Sequence, residues 1–310
     1  MKAPQIIRTT LVAGALVLST FAAAADAVNS SVVPTQGQAL KFQQIRNATI
    51  KLDYAGTTFL IDPMLAVKGA YKGFEGTPRS HLRNPLVDLP MPVSEVIKAD
   101  AVILTHLHDD HWDHAARNLI PRNMPIFTQN QQDASKVRED GFTDVRVLAE
   151  QGTDFKGTRL YKTGGQHGSD KMYATPGLRE LLGEAMGIVF QRPGFKTTYV
   201  VGDTIWRKDV DSALSRFKPD VIFLNTGYAQ VLGFEGSIIM GKEDMLRAYQ
   251  MMPQARIVGI HMDTVNHAML TRAELRAFIK EKKMDTQRAL VPEDGDAYSF
   301  GASDFLVYRP

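Results

Sequence analysis

Four short apolar runs, each stopping abruptly at polar residues, constrain the fold of this chain more than any other feature. Ala101-Val102-Ile103-Leu104 leads into Thr105-His106, and Thr198-Tyr199-Val200-Val201 into Gly202-Asp203. Val221-Ile222-Phe223-Leu224 leads into Asn225-Thr226-Gly227, and Ile257-Val258-Gly259-Ile260 into His261. Strands that are apolar without alternation are buried on both faces. Amphipathic stretches at Asp133 to Glu139, Lys242 to Met251 and Arg272 to Lys280 supply helices to cover them. The pattern predicts an α/β layered architecture. Upstream, Ala48 to Leu52 alternates and Thr57 to Ile61 follows an Ala55-Gly56 turn, which predicts a hairpin ending at Asp62-Pro63. The following stretch, Met64 to Leu89, is rich in glycine, proline and aromatics and has neither helical nor strand period; long loops in compact domains are usually functional.

The composition removes several classes of chemistry. The chain has no cysteine, which excludes disulfides, thiolate nucleophiles, iron–sulfur clusters and thiolate zinc sites. Any metal must therefore sit on nitrogen and oxygen. Lys and Arg number 36 against 34 Asp and Glu, too even a balance for a nucleic-acid-binding face. The expected partner is a small-molecule substrate. Lys2, Arg8, the apolar run from Leu11 to Ala25 and the small residues at its end predict a secretory signal peptide over residues 1–25. That run is shorter than the ~20 residues of a bilayer span, so no stable membrane span is expected, and the destination read from the leader is the periplasm or the exterior of a bacterium. No internal repeat or Ser/Gly linker divides the remainder of the chain, and residues 26–310 read as a single domain.

The stretch Thr105 to His114 holds four of the eight histidines in ten residues. His106 and His108 are two apart at a strand end, where a period of two points both imidazoles the same way, so they can share one ion. Asp110 and His111 come after the turn and can face a second. Imidazole and carboxylate suit zinc, manganese or iron. His167 lies in Gly164-Gly165-Gln166-His167-Gly168, where glycine lets backbone approach a site. Asp203, at the tip of a buried strand, would be costly unless paired or bound to a cation. His261 repeats that arrangement at the tip of another strand, the usual place for sites in α/β sheets.

The motif His106-x-His108-x-Asp110-His111, followed in order by His167, Asp203 and His261, resembles the metallo-β-lactamase superfamily. More narrowly, Asn47-Ala48-Thr49-Ile50, Leu60-Ile61-Asp62-Pro63, Asn84-Pro85 and Pro292-Glu293-Asp294-Gly295 resemble its ascorbate-6-phosphate lactonase-like branch. A phospholipase D branch that cleaves N-acylphosphatidylethanolamine is similar as well. The resemblance implies a four-layer αββα sandwich holding two divalent metal ions, zinc first and manganese second. It assigns His106, His108 and His167 to one ion, Asp110, His111 and His261 to the other, and Asp203 to both. It implies hydrolysis of an ester, lactone or phosphodiester by a hydroxide between the metals, with Asp110 as the catalytic acid–base. True β-lactamases of the superfamily use a cysteine ligand or lack the bridging aspartate, so antibiotic hydrolysis is not expected. The runner-up is a mononuclear iron, oxygen-dependent oxidoreductase on the same ligands. Asp62, Asp113 and His114 are the residues that would orient ligand imidazoles, with surface or structural roles the plainer account of these three and of His81 and His267. The segments Met64 to Leu89 and Tyr173 to Met186 are expected to shape the substrate pocket, with Leu178, Leu181, Leu182 and Met186 making it apolar.

Overall fold

The computed structural model describes Met1, residues 39–301 and the backbone of residues 306–308. The leader, apart from Met1, lies outside the described residues. The chain divides into two units, Met1–Val33 and Pro34–Pro310, and every described helix and strand belongs to the second. Among the described residues, fifteen strands form two sheets. The first contains β1 (Leu40–Arg46), β2 (Thr49–Tyr54), β3 (Thr57–Ile61), β4 (Ala101–Ile103), β5 (Ile126–Thr128) and β6 (Val145–Val147), extended at the β1 edge by β14 (Ala297–Phe300) and β15 (Leu306–Tyr308). The second runs in chain order through β7 (Thr153–Phe155), β8 (Thr158–Thr163), β9 (Gly187–Gln191), β10 (Thr198–Val200), β11 (Val221–Asn225), β12 (Arg256–Ile260) and β13 (Ala289–Leu290).

The two sheets face each other across a core of large apolar side chains. Phe42, Phe59, Ile103 and Phe127 of the first sheet meet Phe190, Val200, Phe223 and Val258 of the second. Phe59 and Phe190 stand edge to face with centroids 5.2 Å apart, a favoured geometry for aromatic pairs. The outer face of the first sheet carries α1 (Val93–Val96), α2 (His114–Leu119) and α3 (Gln131–Glu139) over Leu60, Val102 and Ile126. The outer face of the second carries α6 (Lys208–Phe217), α7 (Lys242–Met251) and α8 (Arg272–Glu281) over Val189, Tyr199, Ile222 and Ile257. Two short helices, α4 (Asp170–Tyr173) and α5 (Leu178–Leu182), lie in the connection from β8 to β9. This is the expected αββα sandwich. The hairpin forms as predicted, as β2 paired with β3, while β1 was not singled out because its exposed Lys41 and half-buried Gln43 dilute its apolar signal.

Strand direction sets where the chemistry sits. β4 runs parallel to β3, and β3 is separated from β1 by the antiparallel β2, so β1, β3 and β4 all end at the same edge. In the second sheet β10, β11 and β12 are parallel, and β8, two antiparallel steps from β10, points with them. Asn47, Asp62, Thr105, His167, Asp203, Asn225 and His261 all lie at or just past the ends of those strands.

The long segment from Met64 to Leu89 contains no named helix or strand, as expected, yet it is firmly tied down. Asn266 is its hub. Its Oδ1 accepts from Phe74 N and from Asn84 Nδ2, both at 2.9 Å, and its Nδ2 donates to Thr77 Oγ1 and to the Pro78 carbonyl. Its own backbone N–H donates to Asn84 Oδ1, and its carbonyl accepts from Arg79 Nε. A second anchor is Asp113, whose Oδ2 accepts from Leu65 N and Ala66 N while Oδ1 caps α2 at Ala116 N. Asn266→Ala is expected to lower the unfolding free energy by roughly 2–4 kcal/mol, read by urea titration, and to speed proteolysis between residues 64 and 89. A loss too small to measure would mean that the segment does not depend on this hub.

Candidate metal centre and its cavity

The turn after β4 is shaped by three local interactions. Asp62, at φ +46°, accepts from Thr105 N at 2.7 Å and from Thr105 Oγ1 at 2.6 Å. The N–H groups of His111 and Trp112 both donate to the His108 carbonyl, which folds the chain back on itself. Trp112 is then buried in the outer core beneath α2. His106 and His108 lie beyond the end of β4 at Ile103, so strand alternation is not what brings them together: the turn does, with His106 Nε2 3.0 Å from His108 Nδ1.

On the opposite sheet, close approach of backbone decides the positions. Gly202 has φ +75°, and a Cβ there would lie 2.3 Å from the Met186 carbonyl oxygen; only glycine lets β10 deliver Asp203 here. A Cβ on Gly227 would lie 2.1 Å from the His261 carbonyl oxygen. His261 itself has φ +65°, and its N–H donates to the Asn47 carbonyl in the β1–β2 turn.

All seven residues of the sequence motif converge. Asp203 Oδ2 lies 3.1 Å from His111 Nε2, 3.6 Å from both His167 Nε2 and His261 Nε2, and 3.9 Å from His106 Nε2. Asp110 Oδ2 is 3.3 Å from His261 Nε2 and 3.7 Å from His111 Nε2. Among the described residues, three groups have donor atoms close enough to hold an ion: His106, His108 and His167; His106, His111 and Asp203; and Asp110, His111 and His261. Nitrogen and carboxylate oxygen donors at this spacing fit divalent zinc, manganese or iron.

The tautomers are set from behind. His167 Nδ1 lies 2.9 Å from the Ile238 carbonyl and His108 Nε2 2.9 Å from the Leu181 carbonyl, so each nitrogen donates outward and its partner nitrogen faces the centre. His111 Nδ1 lies 2.9 Å from Asp62 Oδ2. Asn225 Nδ2 donates to Asp203 Oδ1 at 2.6 Å and leaves Oδ2 for the imidazoles. Burial pushes His106 well below its usual pKa, His108 down to about 4, and His167 downward, which keeps these three in the neutral form that ligates metal. Burial acts the same way on His111 and His261, but Asp203 leads a set of carboxylates that outweighs it, raising His111 well above its usual range and His261 to about 9. Asp110 and Asp203 are buried as well, yet His111 and His261 hold both well below the usual carboxylate range. A divalent cation bound here would supply that positive charge in place of the imidazole protons, freeing His111 and His261 to ligate it.

The other sequence candidates divide. Asp62 stands directly behind His111. Asp113 anchors the loop and α2 rather than an imidazole, because its oxygens are taken by backbone N–H groups. His114 is exposed on the surface and pairs with Asn118, and His81 is exposed. His267 is buried near the centre. Asn47 and Asn225 were not foreseen as site residues; Asn47 Nδ2 donates to the Asp110 carbonyl at 3.0 Å. An asparagine at a strand end carries no signal that separates such a role from an ordinary turn.

Beside Asp110 and His167 opens a cavity of about 480 Å³ lined by Phe74, Leu107, Leu181, Leu182, Val231, Ile238 and His267, with Glu75, Thr77, His108 and Asp109 also contributing. Phe74, Glu75 and Thr77 come from the long loop, and Leu181 and Leu182 from α5, as expected. Met186 does not line it: its N–H donates to the Thr105 carbonyl and its side chain packs between the sheets. Leu178 instead packs with Met172 and Leu182. A second, more polar cavity of about 430 Å³ lies across Leu181 and Leu182, with Lys136, Arg179 and Glu184 in its wall.

Residues 57–262 match the model of the Beta-lactamase superfamily domain. The chain is 45% identical to the UPF0173 protein YddR of Bacillus subtilis (strain 168), over 84% of this chain and 100% of that protein. It therefore belongs to the β-lactamase superfamily, within its UPF0173 group, and is a metal-dependent hydrolase. Two solved structures are similar to it with TM-scores of 0.82. One is an isothiocyanate hydrolase from Delia radicum gut bacteria, 51% identical and covering 84% of this chain and 100% of its own. The other is a possible metal-dependent hydrolase from Veillonella parvula DSM 2008, 49% identical over 84% of this chain and 98% of its own. Among the described residues, no helix is long and apolar enough to cross a membrane.

Asp62→Ala removes the acceptor behind His111 and is expected to weaken metal binding by about 10- to 100-fold, measured by competition with a chromophoric chelator. Metal affinity equal to wild type would show that Asp62 serves only the β3–β4 connection.

Proposed function

We propose that the chain is a binuclear metallohydrolase that attacks the central carbon of a small, neutral, apolar substrate, with an isothiocyanate as the substrate class to test first. The carrying observation is the meeting of three overlapping donor groups with a cavity whose wall is mainly apolar. In this reading His106, His108 and His167 would hold one divalent cation, Asp110, His111 and His261 would hold the other, and Asp203 would serve the pair. Bound there, the pair would supply a water deprotonated near neutral pH and polarise the electrophile.

The chain's own residues do the rest. Among the described residues the cavity wall carries no lysine or arginine, while Glu75, Asp109 and Asp110 contribute negative charge. In this cavity an anionic phosphodiester would meet no cationic side chain and would face these carboxylates, which favours a neutral substrate here, whereas the adjoining cavity that also borders His106 and His108 carries Lys136 and Arg179. The likeness to an isothiocyanate hydrolase narrows the choice further. For R–N=C=S, water oxygen bonds to the central carbon and a proton reaches nitrogen, giving a thiocarbamate; cleavage of its C–N bond releases R–NH2 and carbonyl sulfide. Atoms and electrons balance with water as the single co-reactant. Asp110, at the cavity wall and held ionised, takes the proton from water and returns it to the leaving nitrogen. Phe74, Val231 and Ile238 hold the apolar R group. Esters and lactones are neutral as well and remain the comparison substrates.

The test is metal content by plasma mass spectrometry together with turnover of 2-phenylethyl isothiocyanate, a γ-lactone, a thioester and bis-p-nitrophenyl phosphate, with and without chelator. Two metals per chain and chelator-sensitive release of 2-phenylethylamine are expected, with Asp110→Asn lowering kcat by about 10²- to 10⁴-fold while the metal-free protein melts as wild type does. One iron per chain and oxygen consumption without hydrolysis would overturn the reading. We propose further that residues 1–25 direct the protein out of the cytoplasm. N-terminal sequencing of the periplasmic fraction should begin near Asp26, and an intact Met1 there would overturn export.

A further inference from the structure

We infer that His267 is the polar group that orients the substrate in the apolar cavity, hydrogen-bonding the polar end of a neutral molecule whose apolar part rests on Phe74, Val231 and Ile238. Three observations carry it. First, His267 lines the cavity together with Asp110 and His167, yet it belongs to none of the three donor groups of the metal centre. Second, the residue is 7% exposed, and its Nδ1 is buried with no hydrogen-bond partner among the described residues. An unpaired buried polar atom costs about 1–3 kcal/mol, and buried side-chain polar groups are for the most part paired, so Nδ1 accepts from nothing inside the protein and Nε2, also without a hydrogen bond among the described residues, is the nitrogen left to meet a ligand in the cavity. Third, the ring is held in place from behind. Phe74 meets it edge-on at 4.9 Å and 80°, and the preceding Asn266 is the hub that ties Phe74, Thr77 and Pro78 to this segment. The His267 carbonyl accepts from Gln230 N in the neighbouring loop. A side chain positioned this closely, with Nδ1 buried and Nε2 unpartnered at the cavity, is suited to a ligand rather than to the core.

The wall around it explains why one such group matters. Thr77 Oγ1 and both nitrogens of His108 already have partners, and Glu75 and Asp109 are carboxylates, which accept only. Leu107, Leu182, Val231 and Ile238 offer no polar atom to a substrate from their side chains. A ligand that fills the cavity can slide or rotate against them, and a single directional contact fixes which end faces Asp110. Burial keeps the imidazole uncharged, so it pairs with a neutral nitrogen, sulfur or oxygen and gives no preference to anions.

The inference rests on the proposed hydrolase reading for its choice of probe, and the test separates the two. Calorimetry would measure binding of 2-phenylethylthiourea, an unreactive relative of the isothiocyanate, to the full chain in metal-loaded and metal-free forms. His267→Phe keeps an aromatic ring of similar volume and removes both nitrogens; His267→Gln keeps a hydrogen-bonding group. Binding to both forms should weaken about 10- to 100-fold in His267→Phe and recover most of that loss in His267→Gln, with two metals per chain retained in each variant. In turnover, kcat/KM should follow the same order. Equal binding by wild type and both variants, or no binding of the thiourea by wild type, would overturn the orienting role. Thiourea binding that depends on His267 with no turnover of any isothiocyanate would leave that role standing and overturn the isothiocyanate reading instead. If His267→Phe fails to fold, His267→Gln with binding and kcat/KM lowered more than about 100-fold would also overturn it, since the retained amide should have rescued the contact.

Discussion

A single carboxylate oxygen, Asp203 Oδ2, lies fully inside the protein with four imidazole nitrogens between 3.1 and 3.9 Å away. Placing an anion there is costly unless positive charge is brought to it, and neither sheet alone brings enough. His106 and His111 follow β4 of the first sheet; His167, Asp203 and His261 follow β8, β10 and β12 of the second. The packing of Phe42, Phe59 and Phe127 against Phe190, Phe223 and Val258 therefore fixes the spacing of the donor atoms. Stability and chemistry share one constraint: whatever loosens the inter-sheet core also opens the centre.

A ring of ordinary polar residues translates that packing into side-chain orientation. Asp62 holds both Thr105 and His111, Asn225 turns Asp203, and the β1–β2 turn at Asn47 touches both Asp110 and His261. The Leu181 carbonyl reaches His108 from α5, the same element whose Leu181 and Leu182 side chains form the cavity wall. The apolar cavity and the candidate metal centre thus meet in one short helix. The loop from Met64 to Leu89 does the equivalent on the other side, carrying Phe74 to the cavity while Asn266 and Asp113 hold its backbone.

The character of the cavity narrows the chemistry in a way that membership of the superfamily does not. A fold hosts many reactions, and the site selects among them. Here the wall is mainly apolar, its charges are acidic, and it holds a buried neutral imidazole at His267. Those features are the ground for proposing a compact uncharged electrophile as substrate and His267 as the group that orients it.

Much of this was legible in the residue order. Continuous apolar strands ending at polar residues predicted a layered α/β architecture, because a strand apolar on both faces must be covered and its polar terminus must find a partner. Seven residues in a fixed order pointed to a candidate centre, where the fold brings their side chains together, and absent cysteine excluded thiolate donors. Residue order could not reveal which polar side chains stand behind the donors, since Asn47, Asn225, Asn266 and His267 have the composition of common turns and loops. It also assigned His106 and His108 to strand alternation, whereas the fold joins them through a turn beyond the strand, and it sent Met186 to the pocket rather than to the core. Local pattern dictates which segments are strands and which residues can ligate; the distances among donors far apart in the chain arise only when two sheets pack, because that packing alone decides which strand ends face each other.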